Sequence, residues 1–401
     1  MALLSFFRSA LNTSIRLLRG WFIPHHYLHP CPVAFIKNVW ITIMRDNIDY
    51  VMITPSYPPS MGGVERHVSE IHCALKKIDL NGRIVVMKYP PADVVNDADI
   101  IWLPYRRFLG RVPKTASLCT AFKLARVLWK MNPKVIHFHD VMTYPMSMVL
   151  RLFGLLKKTY FTFHGWEGVF PPLPEVIRRR RKIAEMVMGS IAIGDFIKKW
   201  YGTVSNSVSY GGVDVNRFDL PEGDRNDDDI LKMAYFGRFE PDTGVMEMVE
   251  AVKECSRIPG FDIRLDLYGK GSLKNRLLFC IDKSSAAITI HSPLNNISAV
   301  LSKYNIVVAS GYLTIVEALC ARRIVIAHYN NDLREDYLRL HPAASTFFIC
   351  DGIDDFKTAI SICREDHENV VAKAKAGWDW ARQQSWEAVA CQYTQLWRSS
   401  Q

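Results

Sequence analysis

Ser310-Gly311-Tyr312-Leu313-Thr314-Ile315-Val316-Glu317-Ala318-Leu319-Cys320 is the stretch on which the reading of the fold turns. Before it runs Ile306-Val307-Val308-Ala309, a short apolar run bounded by polar residues, which reads as a buried strand. After it, Ile324-Val325-Ile326-Ala327 reads as another. Gly311 breaks the first run and a helix opens near Leu313. Strand, glycine turn, helix, strand is the layout of a phosphate site in an α/β domain. There the free N–H groups of the turn and the positive end of the helix meet at one point. Gly311, Tyr312, Leu313 and Thr314 are the candidate backbone donors. Glu317 lies beyond them, placed to accept hydrogen bonds from ribose hydroxyls. A plain turn followed by a solvated helix acid has the same pattern, so the rest of the chain decides.

Working outward, the alternation repeats. Lys232 to Arg238 is a strand ending in Gly-Arg, Arg264 to Tyr268 a strand ending at Gly269-Lys270-Gly271, Ala287 to His291 another, and Ser345 to Cys350 a last one. Toward the N-terminus, Tyr50 to Thr54 enters a proline-rich loop and then Gly62-Gly63, which opens a helix with Val68, Ile71 and Leu75 on one face. Two glycines ahead of a helix let backbone approach a ligand. Further strands are Ile84–Met87, Ile100–Leu103, Val135–Asp140, Tyr160–Trp166 and Ser190–Ile193. His139-Asp140 and His164-Gly165 fall at the ends of successive strands, the edge that lines the ligand crevice in open α/β sheets. Two runs of strand–helix alternation predict two doubly wound α/β domains. The acidic, Pro- and Gly-containing stretch from Leu220 to Asp229 reads as the linker between them.

The chain's 401 residues suit two domains, and the formal charge of +10 is uneven. Residues 1–215 hold 28 Lys and Arg against 14 Asp and Glu; residues 216–401 hold 22 against 26. The first half therefore faces something anionic. No basic-aromatic platform for nucleic acid stands out, and an anionic membrane surface fits better. Residues 1–43 contain no acid. Leu4, Phe7, Leu11, Ile15, Leu18 and Phe22 line one helical face, with Arg8, Arg16 and Arg19 opposite. That is a basic amphipathic interfacial helix, an Arg-rich targeting peptide, or an extension upstream of a natural start at Met44. Arg178-Arg179-Arg180-Arg181 on a helix from Pro174 to Met188 is a solvated run by default; beside so basic a half it reads as a contact for lipid head groups. Nine cysteines without a C-x-x-C pair or zinc spacing indicate a reducing compartment and no structural metal.

Gly62-Gly63-Val64-Glu65-Arg66-His67, Phe163-His164-Gly165, Gly211-Gly212-Val213-Asp214 with Phe218, Gly237-Arg238, Gly269-Lys270-Gly271 and Ser310 to Ala318 stand in this order along the chain. Together they resemble the retaining glycosyltransferases of family four, from Met44 onward. The resemblance implies the GT-B fold: an acceptor-side Rossmann-like domain (44–218), a linker (219–231), a nucleotide-sugar domain (232–377) and a C-terminal helix (378–401) crossing back onto the first. It implies that Arg238 holds the donor diphosphate and Gly311 to Thr314 offer N–H groups to the phosphates. Glu317 takes the ribose hydroxyls, Gly62 and Gly63 border the diphosphate, and His164 bonds the transferred sugar. Lys270 is a candidate second cation, and His139 and Asp140 line the cleft. No metal or cofactor is expected. A guanidinium and aimed N–H groups can stabilise the diphosphate leaving group without one. Two positions depart from the family pattern: Ala309 stands where a first Glu is usual, and Thr243 where a Lys is usual.

The expected function is sugar transfer from a nucleoside-diphosphate sugar to a lipid-linked or surface-glycan acceptor, in the cytoplasm at a membrane surface. The alternatives are a soluble-acceptor transferase or nucleotide-sugar epimerase of the same fold, and a non-catalytic partner subunit, which Ala309 and Thr243 favour.

Overall fold

The structure, a computed structural model, describes residues 48–60, 62–90, 97–104, 113–143, 159–166, 168–219, 230–282, 286–294 and 296–399. The basic segment 1–43 and the linker core at 220–229 lie outside these residues.

Two parallel sheets carry the fold, seven strands in the order β3-β2-β1-β4-β5-β6-β7 and six in the order β10-β9-β8-β11-β12-β13. In the first, β1 (Tyr50–Thr54), β4 (Val135–His139) and β5 (Thr159–Phe163) are buried along their whole length. That is what near-continuous apolar runs become when helices cover both faces of a parallel sheet. β2 (Gly82–Val86) and β3 (Ile100–Trp102) flank β1; β6 (Gly189–Ile193) and β7 (Ser207–Ser209) continue beyond β5. In the second sheet, β8 (Leu231–Arg238) pairs with β9 (Ile263–Lys270) on one side and β11 (Ile306–Ala309) on the other. β10 (Ala287–His291), β12 (Ile324–His328) and β13 (Phe348–Cys350) complete it. Both sheets reverse strand order beside their first strand, between β1 and β4 and between β8 and β11, which is where such sheets open a crevice. The α/β class and the pair of doubly wound sheets expected from the sequence are what the chain forms.

The stretch 378–401 is divided. Trp378 and Trp380 close the helix His367–Ala381, and a separate helix, Trp386–Ser399, follows. The second one packs on the first domain. Its Trp386, Val389, Ala390, Tyr393, Leu396 and Trp397 share one apolar cluster with Val68, Ile71 and Leu75 of the helix Gly63–Lys77. Tyr160 Oη donates to the Trp397 carbonyl (3.2 Å), and Lys77 pairs with Glu387 (2.8 Å). The chain thus returns to the domain where it began, and residues 46–401 form one compact unit.

Candidate active site

The helix Tyr312–Cys320 is buried on nearly every side: Tyr312, Ile315, Val316, Glu317, Ala318, Leu319 and Cys320 are all inaccessible. Its N-terminal end meets the first domain. Tyr312 lies against the space over Gly194, at the end of β6, and its ring centre is 5.3 Å from that of Tyr210, which follows β7. The C-terminal edges of the two sheets therefore face each other across this helix end.

Gly311, with φ −143°, has extended backbone that any residue could adopt, and no atom lies closer than 4.0 Å to where its side chain would stand. Gly63 likewise has open space above it. Neither packing nor dihedral strain demands glycine at these two positions, and the space above both is open. The Tyr312 N–H, one of the expected phosphate donors, is taken by Tyr337 Oη at 2.8 Å, and the two tyrosine rings stack at 3.8 Å. Glu317 is also engaged. Its carboxylate, 1% exposed, accepts from both terminal nitrogens of Arg66, with Nη1 to Oε2 at 3.0 Å and Nη2 closer still to Oε1. Desolvation raises its pKa, and the Arg66 charge works against that rise.

Arg238 ends β8 with its side chain 67% exposed, holding Asp242 at 2.9 Å. Lys270 is its register partner at the end of β9, so the two expected cations stand side by side on one sheet edge. Thr243, where a lysine would add a third, is buried, and its hydroxyl donates to the Glu240 carbonyl (2.8 Å). It serves the turn and not the cleft. Ala309 is buried at the end of β11.

On the opposite edge sits a cluster of buried histidines. His164 and His139 are joined through Nε2 and Nδ1 at 3.1 Å. Around them the hydrogen bonds have a fixed direction. The indole of Trp397 can only donate, and it donates to His137 Nδ1 (3.0 Å). Burial depresses the His137 pKa to about 3, so the ring is neutral and carries its proton on Nε2, which donates to Thr162 Oγ1 (2.8 Å). The Thr162 hydroxyl then donates to Tyr393 Oη (2.8 Å), and Tyr393 donates to His67 Nε2 (2.9 Å). One indole at the end of the chain thereby sets the tautomers of His137 and His67. His139 Nε2 has no partner. A buried orphan lone pair is tolerated better than a buried orphan N–H. His139 therefore donates from Nδ1, and His164, accepting at Nε2, keeps its own proton on Nδ1. His164 is held neutral by burial first, then by the neighbouring His67, His137 and Arg180. A neutral imidazole can bond a sugar hydroxyl without adding charge. Asp140 follows His139 at φ 70°, its carbonyl accepting from Thr143 Oγ1 (2.7 Å).

The arginine run needs correction. Arg178, Arg179 and Arg181 are exposed, but Arg180 is 1% exposed and faces inward. Its Nη2 donates to the carbonyls of His164 (3.2 Å) and Gly165 (2.8 Å), and its guanidinium lies 4.1 Å from the Tyr201 ring centre. It cannot touch lipid; it braces the strand end that carries His164. Helical geometry gives the reason, since four consecutive residues spread around the helix and one must fall on the packed face. Arg66, Tyr337 and the Trp397–Tyr393 pair are the other site residues that sequence reasoning passed over. Arg66 was legible only as part of the Gly-Gly motif.

Residues 61–217 match the family model described as Glycosyltransferase Family 4. The solved structures of similar shape span nearly the whole chain. A glycosyltransferase from Rickettsia africae aligns at 18% identity and a TM-score of 0.67, covering 88% of this chain and 98% of that one. Sucrose-phosphate synthase from Thermosynechococcus elongatus aligns at 18% identity and a TM-score of 0.70, again over 88% and 98%. HepE from Anabaena, solved with UDP and glucose, aligns at 15% identity and 0.67, over 88% and 100%. The chain has the GT-B fold, and within it residues 61–217 are similar to the family-four glycosyltransferases. No protein of curated function matches it by sequence. Within the GT-B frame, the histidine cluster sits on the domain that holds the matched residues, while Glu317, Arg238 and Lys270 sit on the domain beyond them. Among the described residues no three His, Cys, Asp or Glu side chains converge as a metal-binding group, and no helix is long and apolar enough to cross a membrane.

Proposed function

We propose that the protein is a retaining glycosyltransferase that moves a sugar from a nucleoside-diphosphate sugar to a lipid-linked or surface-glycan acceptor. The observation that carries this reading is the convergence of the Gly62-Gly63 turn, with Arg66 one turn into its helix, on the buried carboxylate of Glu317, at the edge that also holds His164. Glu317 takes the ribose hydroxyls. Arg238 and Lys270 meet the diphosphate, where charge grows as the bond to the sugar breaks. His164 orients the sugar. The acceptor oxygen bonds the sugar carbon on the face that the diphosphate leaves, and the acceptor proton departs with the diphosphate. No metal is required by this scheme. The exposed Arg178, Arg179 and Arg181, near the exposed Val169, Phe170 and Leu173, favour docking on an anionic bilayer and hence an amphiphilic acceptor.

The deciding measurement is donor hydrolysis by purified protein with a panel of nucleotide sugars and EDTA, UDP-sugars first because HepE carries UDP. Slow release of one nucleoside diphosphate, lost in His164→Ala, is the expected result. Binding without release, with or without acceptor lipid, would move the protein to the second reading, a non-catalytic GT-B subunit. That reading draws on Tyr337 and Arg66, which fill contacts a donor would need. For the membrane, Arg178, Arg179 and Arg181 replaced together by Gln should cut binding to phosphatidylserine vesicles severalfold; undiminished binding would remove the docking argument.

A further inference from the structure

Glu317 and Arg66 belong to different domains, the first on the helix Tyr312–Cys320 and the second on the helix Gly63–Lys77, so their ion pair spans the cleft. A carboxylate this buried must keep its hydrogen-bond donors. Two kinds of partner offer two adjacent donors to its two oxygens: a guanidinium fork and a pair of vicinal hydroxyls. The two ends of the pair differ in freedom. Glu317 is enclosed within its helix, whereas the Arg66 side chain is 33% exposed on a flexible stem. The acid beside it, Glu65, is held by the Ser56 hydroxyl and offers Arg66 no competing contact. The second donor-side contact shows the same condition, since the Tyr312 N–H is closed by Tyr337 Oη.

We propose that Arg66 competes with the nucleotide's ribose for Glu317: its guanidinium fork holds the carboxylate, and on donor entry the two ribose hydroxyls replace its two N–H groups. This rests on the reading of Glu317 as the donor's ribose acceptor. Arg66 is then a residue of the donor site that the ligand must displace. It lowers the net value of the ribose hydroxyls to binding and ties the two domains together until a nucleotide arrives.

The test is calorimetric binding at pH 8 of UDP, GDP, ADP and CDP, each paired with its 2′,3′-dideoxy counterpart, to wild type and Arg66→Ala. For the nucleotide that binds, Arg66→Ala should bind the ribose form roughly 10-fold more tightly than wild type. It should bind the dideoxy form with unchanged affinity, so that discrimination between the two widens by that factor. Arg66→Gln, which keeps most of the side-chain volume, should move the same way and serves if the alanine variant does not fold. Equal weakening of both forms would make Arg66 a phosphate ligand and overturn the proposal. Unchanged affinity for both would make the pair a purely structural bridge and overturn it too. If wild type binds no nucleoside diphosphate, the donor-site reading falls and this inference with it; if it binds but discrimination does not widen, only the inference falls.

Discussion

Lowering the pH from 7.5 to 5.5 should remove about 5 kcal/mol of unfolding free energy, with uptake of about four protons on unfolding at the lower pH. The cause is the histidine cluster. His67 and His137 are pushed down to about 3 by burial, and His139 and His164 lie well below the ordinary value for the same first reason, with each other's charge adding to it. A histidine depressed in the folded state binds fewer protons there than in the unfolded chain. As the pH falls through about 6.5, the unfolded state gains protons that the folded state refuses. The stability is therefore complete above about 6.5 and is lost progressively from there down toward 3. Each such group contributes about 1.4 kcal/mol per pH unit within that window. His341, also pushed to about 3 by burial, adds in the same direction. His72 and His328 are depressed by burial as well, so Glu317, which acts oppositely because a carboxyl raised in the folded state favours folding at low pH, is one group against seven. Urea unfolding across this pH range, with proton uptake from calorimetry in buffers of different ionisation enthalpy, measures both quantities. A loss below about 1 kcal/mol would mean that the cluster is charged or solvated in the native protein.

The same cluster shows where the sequence is legible and where it is not. β1, β4, β5, β11 and β12 are fully buried strands; β1, β11 and β12 could be read from apolar runs, and β4 and β5 from short aromatic and β-branched runs that His137 and Thr162 interrupt. β7 could not. Ser207-Val208-Ser209 has no run to detect and is a strand only because β6 offers it an edge to pair with. His139 and His164 were found because they end strands, a position set by local pattern. The residues that bond the rest of the cluster were not, because Tyr393 and Trp397 reach Thr162 and His137 from more than 200 residues away, on a helix whose destination only the completed fold decides. Glu317 was found as an acid after a glycine turn, yet its burial and its bond to Arg66 depend on how the two domains meet. What a residue type can do was readable; which other residue already occupies it was not.

Arg180 is the case where that difference has the largest consequence for a single side chain. Replacing it with Ala should destabilise the first domain by about 4 kcal/mol and lower turnover at least 10-fold while leaving nucleoside-diphosphate affinity unchanged. Its Nη2 serves two carbonyls, those of His164 and Gly165, and hydrogen bonds from a charged donor are worth about 1.5–3 kcal/mol each. Its guanidinium also packs over Tyr201 and reaches toward Phe163, contacts that alanine abandons to a cavity. Gly165 sits at φ 41°, so the turn that these bonds hold is one the chain adopts only with glycine's freedom, and losing the brace frees it to move. His164 would then lose its aim while Glu317, Arg238 and Lys270, on the other domain, keep theirs. Lysine should rescue little, because a single ammonium on a flexible stem lacks the planar fork that rests on Tyr201 and spans the two carbonyls. Turnover, nucleotide affinity and urea stability of Arg180→Ala and Arg180→Lys separate the possibilities. Variants that lose stability but keep turnover would make Arg180 a packing residue only. Variants that bind lipid vesicles more weakly without losing stability would return it to the membrane surface, against its burial.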